Sequence, residues 1–97
     1  MKLKPSETEL VGVWDVQDGL VIADETARRI EQLTNSYLRK TAISPEFGAW
    51  ETLFQDPEDG RYWERTYPRS HTHGGGPPLL RYISREEART KYGEQVA

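Results

Sequence analysis

The chain has 97 residues, 35% hydrophobic, 30% charged and 10% aromatic, with a formal net charge of -3 and no cysteine. That is the size of one domain with one small core, residues 1–97, and it leaves no room for a separate substrate or cofactor domain. The lack of cysteine excludes disulfide stapling, zinc–thiolate sites and a cysteine nucleophile, and the mild acidity disfavours nucleic acid as a partner, since neutralising phosphates calls for a clear basic excess.

The first ten residues, MKLKPSETEL, are charged and lack an apolar run. They do not read as a signal peptide. No segment approaches the roughly 20 apolar residues of a membrane helix, so the expectation is a cytoplasmic protein with no membrane partner. Three tryptophans, five tyrosines and two phenylalanines offset the polar composition, because a few buried rings can anchor a small core.

ELVGVWDV, residues 9–16, alternates in the manner of a strand, and Asp18-Gly19 is a tight-turn dipeptide that would return the chain through residues 20–23 as a hairpin. From Asp24 the period changes. Ala27, Ile30 and Leu33 fall on one helical face, Asp24 suits the N-cap, and Glu25 sits where the helix dipole favours negative charge. The helix is expected to end near Asn35 in a left-handed cap. Three extended segments follow: SYLRKTAI, AWETLFQ and RYWERTY. DPEDG, residues 56–60, lies between the last two. Proline at its second position and glycine at its end make it a turn, so residues 50–55 pair with 61–67. LLRYI forms a further short strand. SREEARTKYG closes as a helix, with Ser84 and Glu87 as a capping box and Gly93 as the C-cap. The expected fold is therefore α+β: an antiparallel sheet, made of an N-terminal hairpin and a three-strand meander, packed with two helices.

SHTHGGGPP, residues 70–78, is the segment without an obvious place. His71 and His73 could share a metal from a strand, but the sequence offers no third ligand nearby, so no metal is expected. HGGG resembles an esterase oxyanion loop, yet no G-x-S-x-G elbow accompanies it. A phosphate loop would open a helix, whereas these glycines run into Pro77-Pro78. What remains is geometric: three glycines let the backbone pass close to a ring such as Trp63 or Tyr67, and two prolines fix the exit. No catalytic constellation appears elsewhere. Asp56, Glu58 and Asp59 are turn acids, and Glu86-Glu87 opens a helix. No enzyme activity and no cofactor are expected.

TARRIEQLTNSYL, AWETLFQDPEDGRYWERTYP and HGGGPPLL, in this order, resemble immunity protein family 27 of bacterial polymorphic toxin systems over about residues 3–92. The resemblance implies a small α+β cytoplasmic protein that binds and neutralises a cognate toxin domain by occluding it, without enzyme activity or cofactor. It carries over no established binding residues. Charge supplies a candidate face: residues 46–60 hold five acids and no base, and an acidic patch attracts a basic partner surface, such as the substrate cleft of a nuclease. The expected partner-binding residues are Glu51, Asp56, Glu58, Asp59 and Tyr62 of the central hairpin, with His73 and Gly75 of the glycine loop. Expected assembly is a monomer or weak homodimer. The competing reading is a small-ligand or peptide module that uses the aromatic sheet and the glycine loop as a groove.

Overall fold

The structure is a computed structural model that describes residues 2–68 and 76–96. Its centre is a five-stranded antiparallel sheet. Strands β4 (Arg39–Ser44), β5 (Gly48–Gln55) and β6 (Tyr62–Thr66) form the meander. Strand β7 (Leu79–Ile83) lies beside β6, and β1 (Glu9–Val11) closes the far edge against β7. Strands β2 (Trp14–Gln17) and β3 (Leu20–Ala23) form a separate two-stranded ribbon. Helix α1 (Glu25–Gln32) follows the ribbon and α2 (Arg85–Tyr92) follows β7. No helix among the described residues is long and apolar enough to cross a membrane.

The two helices cover opposite faces of the sheet. Residues that face each other across an antiparallel pair share a face. Phe54 is opposite Trp63, and both join Leu10, Leu80, Ile30 and Leu33 in the core under α1. Leu53 and Tyr62 lie on the other face with Ile83, Ala88 and Tyr92 under α2. Central strands covered on both sides bury consecutive residues: Leu53 with Phe54, and Tyr62, Trp63 and Glu64 in a row. The AWETLFQ and RYWERTY alternations are therefore real as strands, but neither marks a solvent face here.

The predicted hairpin 50–55 with 61–67 is present in register, Gln55 opposite Tyr62 and Glu51 opposite Thr66. Its turn exits through Gly60 at φ 79°. The Asp18-Gly19 turn is also present, with φ of 51° and 77°, the paired positive angles a type I′ turn requires. Asp24 caps α1, its Oδ1 accepting the Ala27 N–H at 2.7 Å and the Val13 N–H at 3.1 Å.

Three expectations need correction. Residues 9–16 are not one strand. The chain breaks at Gly12, whose N–H donates to the Pro78 carbonyl at 2.9 Å, and a Cβ there would stand 2.6 Å from that same oxygen. The break sends β1 into the main sheet and β2 out of it. Asn35 forms no left-handed cap. The chain instead makes a wide π-helical turn, Leu33–Tyr37, closed by the Leu38 N–H donating to Leu33 O at 2.7 Å. The hydroxyls of Thr34 and Ser36 donate back to Ile30 O and Gln32 O, which favours that looser turn. The capping box is half formed. Ser84 Oγ accepts the Glu87 N–H at 3.0 Å, but the Glu87 carboxylate pairs with Arg81. Gly93 does end α2, at φ 66°.

Candidate functional site

The central hairpin tip was expected to present acids to a partner, and the structure turns one of them, Asp56, inward and leaves Glu58 and Asp59 exposed. Asp56 is 2% exposed. Its Oδ1 accepts the N–H groups of Glu58 and Asp59 and the Tyr37 hydroxyl, the last at 2.7 Å. Burial, and then Asp56, push the Tyr37 hydroxyl well above its ordinary pKa, so it remains a donor. Tyr62 is buried because α2 covers its face of the sheet. These two residues are thus placed inside the tip and not on its surface. Glu58 and Asp59 do reach the surface, each with a cation beside it: Lys2 at 2.8 Å and Arg61 at 2.7 Å.

Arg61 makes the tip a clasp. Its guanidinium donates to the carbonyls of Glu7 at 2.8 Å and Lys4 at 3.1 Å, and stacks 4.9 Å from the Trp63 ring centroid. The segment it grips is also tied to α1. Glu7 and Arg29 pair through two hydrogen bonds of 2.6 and 2.7 Å. Those bonds hold the Glu7 carboxyl down to about 2.

Glu51 belongs to a different environment, a cleft of about 750 Å³ on the α2 face of the sheet. Phe47, Trp50 and Tyr67 rim it, with Trp50 edge-on to Tyr67 at 5.4 Å. Its floor is the buried Glu64. That carboxylate accepts from Tyr92 Oη at 2.8 Å, lies 2.6 Å from Lys91 Nζ and faces Arg81 at 3.6 Å. Glu51 completes the chain at 3.0 Å from Lys91. Burial pulls the Lys91 ammonium down, yet hydrogen bonds to Glu64 and Glu51 outweigh it and hold its pKa above the ordinary value. Burial, then Glu64, raises that of the Tyr92 hydroxyl. Both groups therefore keep their protons, and neither is a base at neutral pH. The cleft can hold an apolar or aromatic group against its rim. Its charges are already matched within it.

His73 and Gly75, like His71, lie outside the described residues. Among the described residues, no group of three His, Cys, Asp or Glu side chains is arranged to hold a metal.

The ribbon of β2 and β3 is the exposed feature sequence reasoning passed over. Val16, Leu20 and Val21 are 70%, 68% and 60% exposed. Residues 5–27 contain six acids and no lysine or arginine. That asymmetry was readable in the sequence, and so was the glycine inside the supposed strand, a recognised mark of a bulge or close backbone approach.

The chain matches the family model described as Immunity protein 27 over residues 16–84. No curated protein and no solved structure matches it. The matched span runs from the ribbon through the clasp and β7 into the cap of α2, and the chain belongs to the Immunity protein 27 family.

Proposed function

We propose that this member of the family is a cytoplasmic immunity protein that binds a cognate polymorphic toxin domain and neutralises it by occlusion. The observation that carries the reading is the family match over residues 16–84. The geometry is compatible with it: the conspicuous ionic network is closed on itself, and apolar surface is displayed on a ribbon outside the main sheet. Binding, not turnover, is the role asked of such a surface. Tight inhibition of this kind rests on a few apolar or arginine anchors ringed by polar groups. Glu51, Glu58 and Asp59 are the members of the expected face that remain within a partner's reach, as secondary contacts.

The test starts with capture on the tagged full chain from lysate of the source organism. The captured domain is then expressed alone and together with the chain. Growth arrest by the domain, relieved by the chain, supports the reading. If no captured domain arrests growth, the reading falls.

One observation favours a second reading, a small-ligand or peptide module. The 750 Å³ cleft sets an aromatic rim of Phe47, Trp50 and Tyr67 over a charged floor, a concave site that can hold a small molecule. A ligand screen by thermal shift tests it, with Trp50→Ala expected to abolish any shift that comes from this cleft.

A further inference from the structure

Two groups of acids in the chain differ in their partners. Those at the central tip and in the cleft have partners: Glu58 with Lys2, Asp59 with Arg61, Glu51 and Glu64 with Lys91. A partner that used them would first have to break these contacts. In residues 5–27, Glu7 is engaged by Arg29 and Asp24 by the α1 N-terminus. Asp15, Asp18 and Glu25 have no salt-bridge partner among the described residues, and Arg81, the cross-strand neighbour of Glu9, pairs with Glu64 and Glu87. Glu31, Glu46, Glu86 and Glu94 also lack a salt-bridge partner among the described residues, but they lie apart in the sequence, whereas Glu9, Asp15, Asp18 and Glu25 all fall within residues 5–27, which hold no lysine or arginine.

The ribbon also carries apolar surface. Trp14 is opposite Ala23 and Val16 opposite Val21, so these four share one face with no polar residue among them. The inner pair is half-buried near α1, and the outer pair is exposed. At the ribbon's foot lies a groove of about 280 Å³ whose apolar lining includes Val11, Val13, Pro77, Pro78 and Leu79, with Glu9 the one charged residue among the described residues that line it. Val13 joins groove to ribbon. A two-stranded ribbon is marginal in water by itself, and an apolar face with Asp18 at its turn and Asp15 on its reverse side gains from being covered by something of opposite charge.

We infer that the β2–β3 ribbon and the groove at its foot are the docking surface for the toxin domain, and that the toxin meets them with an apolar patch rimmed by lysine and arginine. The inference rests on the immunity reading and adds the face and the chemistry of its partner. A second copy of this chain is the poorer occupant, since it would bring like charges together. Nucleic acid and anionic membranes are repelled for the same reason.

The experiment uses the full chain and the growth-arresting domain identified above, with association and dissociation rates measured at low and high salt. Val16→Ser with Val21→Ser should speed dissociation about tenfold. Asp15→Lys with Asp18→Asn should slow association about tenfold at low salt and much less at high salt. Asparagine is chosen at position 18 because it tolerates the positive φ there. Glu58→Lys should change either rate less than about twofold. Backbone amides of β2 and β3 should gain hydrogen-exchange protection in the wild-type complex, a readout that needs no variant. Ribbon variants matching wild type in both rates, or unchanged exchange in the ribbon, overturn the inference while leaving the immunity reading intact. A light-scattering mass that falls from dimer to monomer in the valine variant, with toxin rates unchanged, also overturns it and assigns the face to a second copy. A wild-type chain that neither binds nor protects sinks both.

Discussion

The central hairpin and the N-terminal ribbon are both two antiparallel strands joined by an acidic, glycine-containing turn, and the chain uses them in opposite ways. At the central tip, Asp56 is buried under three hydrogen bonds, and Arg61 reaches across to carbonyls of residues 4 and 7. At the ribbon, the Asp18-Gly19 turn stands clear of the main sheet and the flanking valines face water. The same local chemistry closes the core in one case and leaves a surface free in the other. What separates them is the covering layer: α1 and α2 sandwich the central strands, whereas the ribbon is anchored at its base, where Asp24 bonds to Val13.

That contrast can be broken from the stability side. The largest effect is expected for Arg61→Ala, which removes charge-assisted hydrogen bonds and the packing over Trp63; a loss of about 3 kcal/mol should appear in urea unfolding. Gly12→Ala comes next, at about 2 kcal/mol, because its Cβ would meet the Pro78 carbonyl, a backbone atom that cannot swing away. The Glu7–Arg29 pair should contribute about 1 kcal/mol with a defined pH signature. The folded carboxyl lies at about 2, below its ordinary 4.5. Its contribution is therefore complete above pH 4.5 and disappears as pH falls towards 2, and Glu7→Gln should flatten that part of the stability profile. The smallest change, below about 0.5 kcal/mol, is expected for Val16→Ser with Val21→Ser. A large loss there would show that the ribbon belongs to the core and erase the distinction between the two hairpins.

The parts of the fold written in local chemistry were legible. Asp18-Gly19, DPEDG, Asp24, Ser84 and Gly93 each act through their own side chain or φ, and each stands where the sequence places it. The misreadings share a cause in tertiary contact. Gly12 breaks a strand because Pro78, 66 positions later, comes against it. Tyr62 and Asp56 look like surface residues in an alternating, acidic hairpin until a helix and a tyrosine from elsewhere cover them. Nothing in the RYWERTY segment singles out Glu64, yet Lys91 and Tyr92 of α2 make it the floor of a cleft. Of the expected contact face, the outward position of Glu58 and Asp59 was legible, but the neutralising partners Lys2 and Arg61 were not identified.

The pairing of β1 with β7 has a consequence for biosynthesis. Glu9 is opposite Arg81 and Val11 opposite Leu79, so the second strand of the chain's longest-range pairing is made more than 60 residues after the first. On the ribosome, the meander can form while β1 still waits, and the foot of the ribbon is set only when Pro78 arrives to receive the Gly12 N–H. Proteolysis of stalled nascent chains should therefore cut near Gly12 until the segment through Ile83 has emerged, and become slow there afterwards.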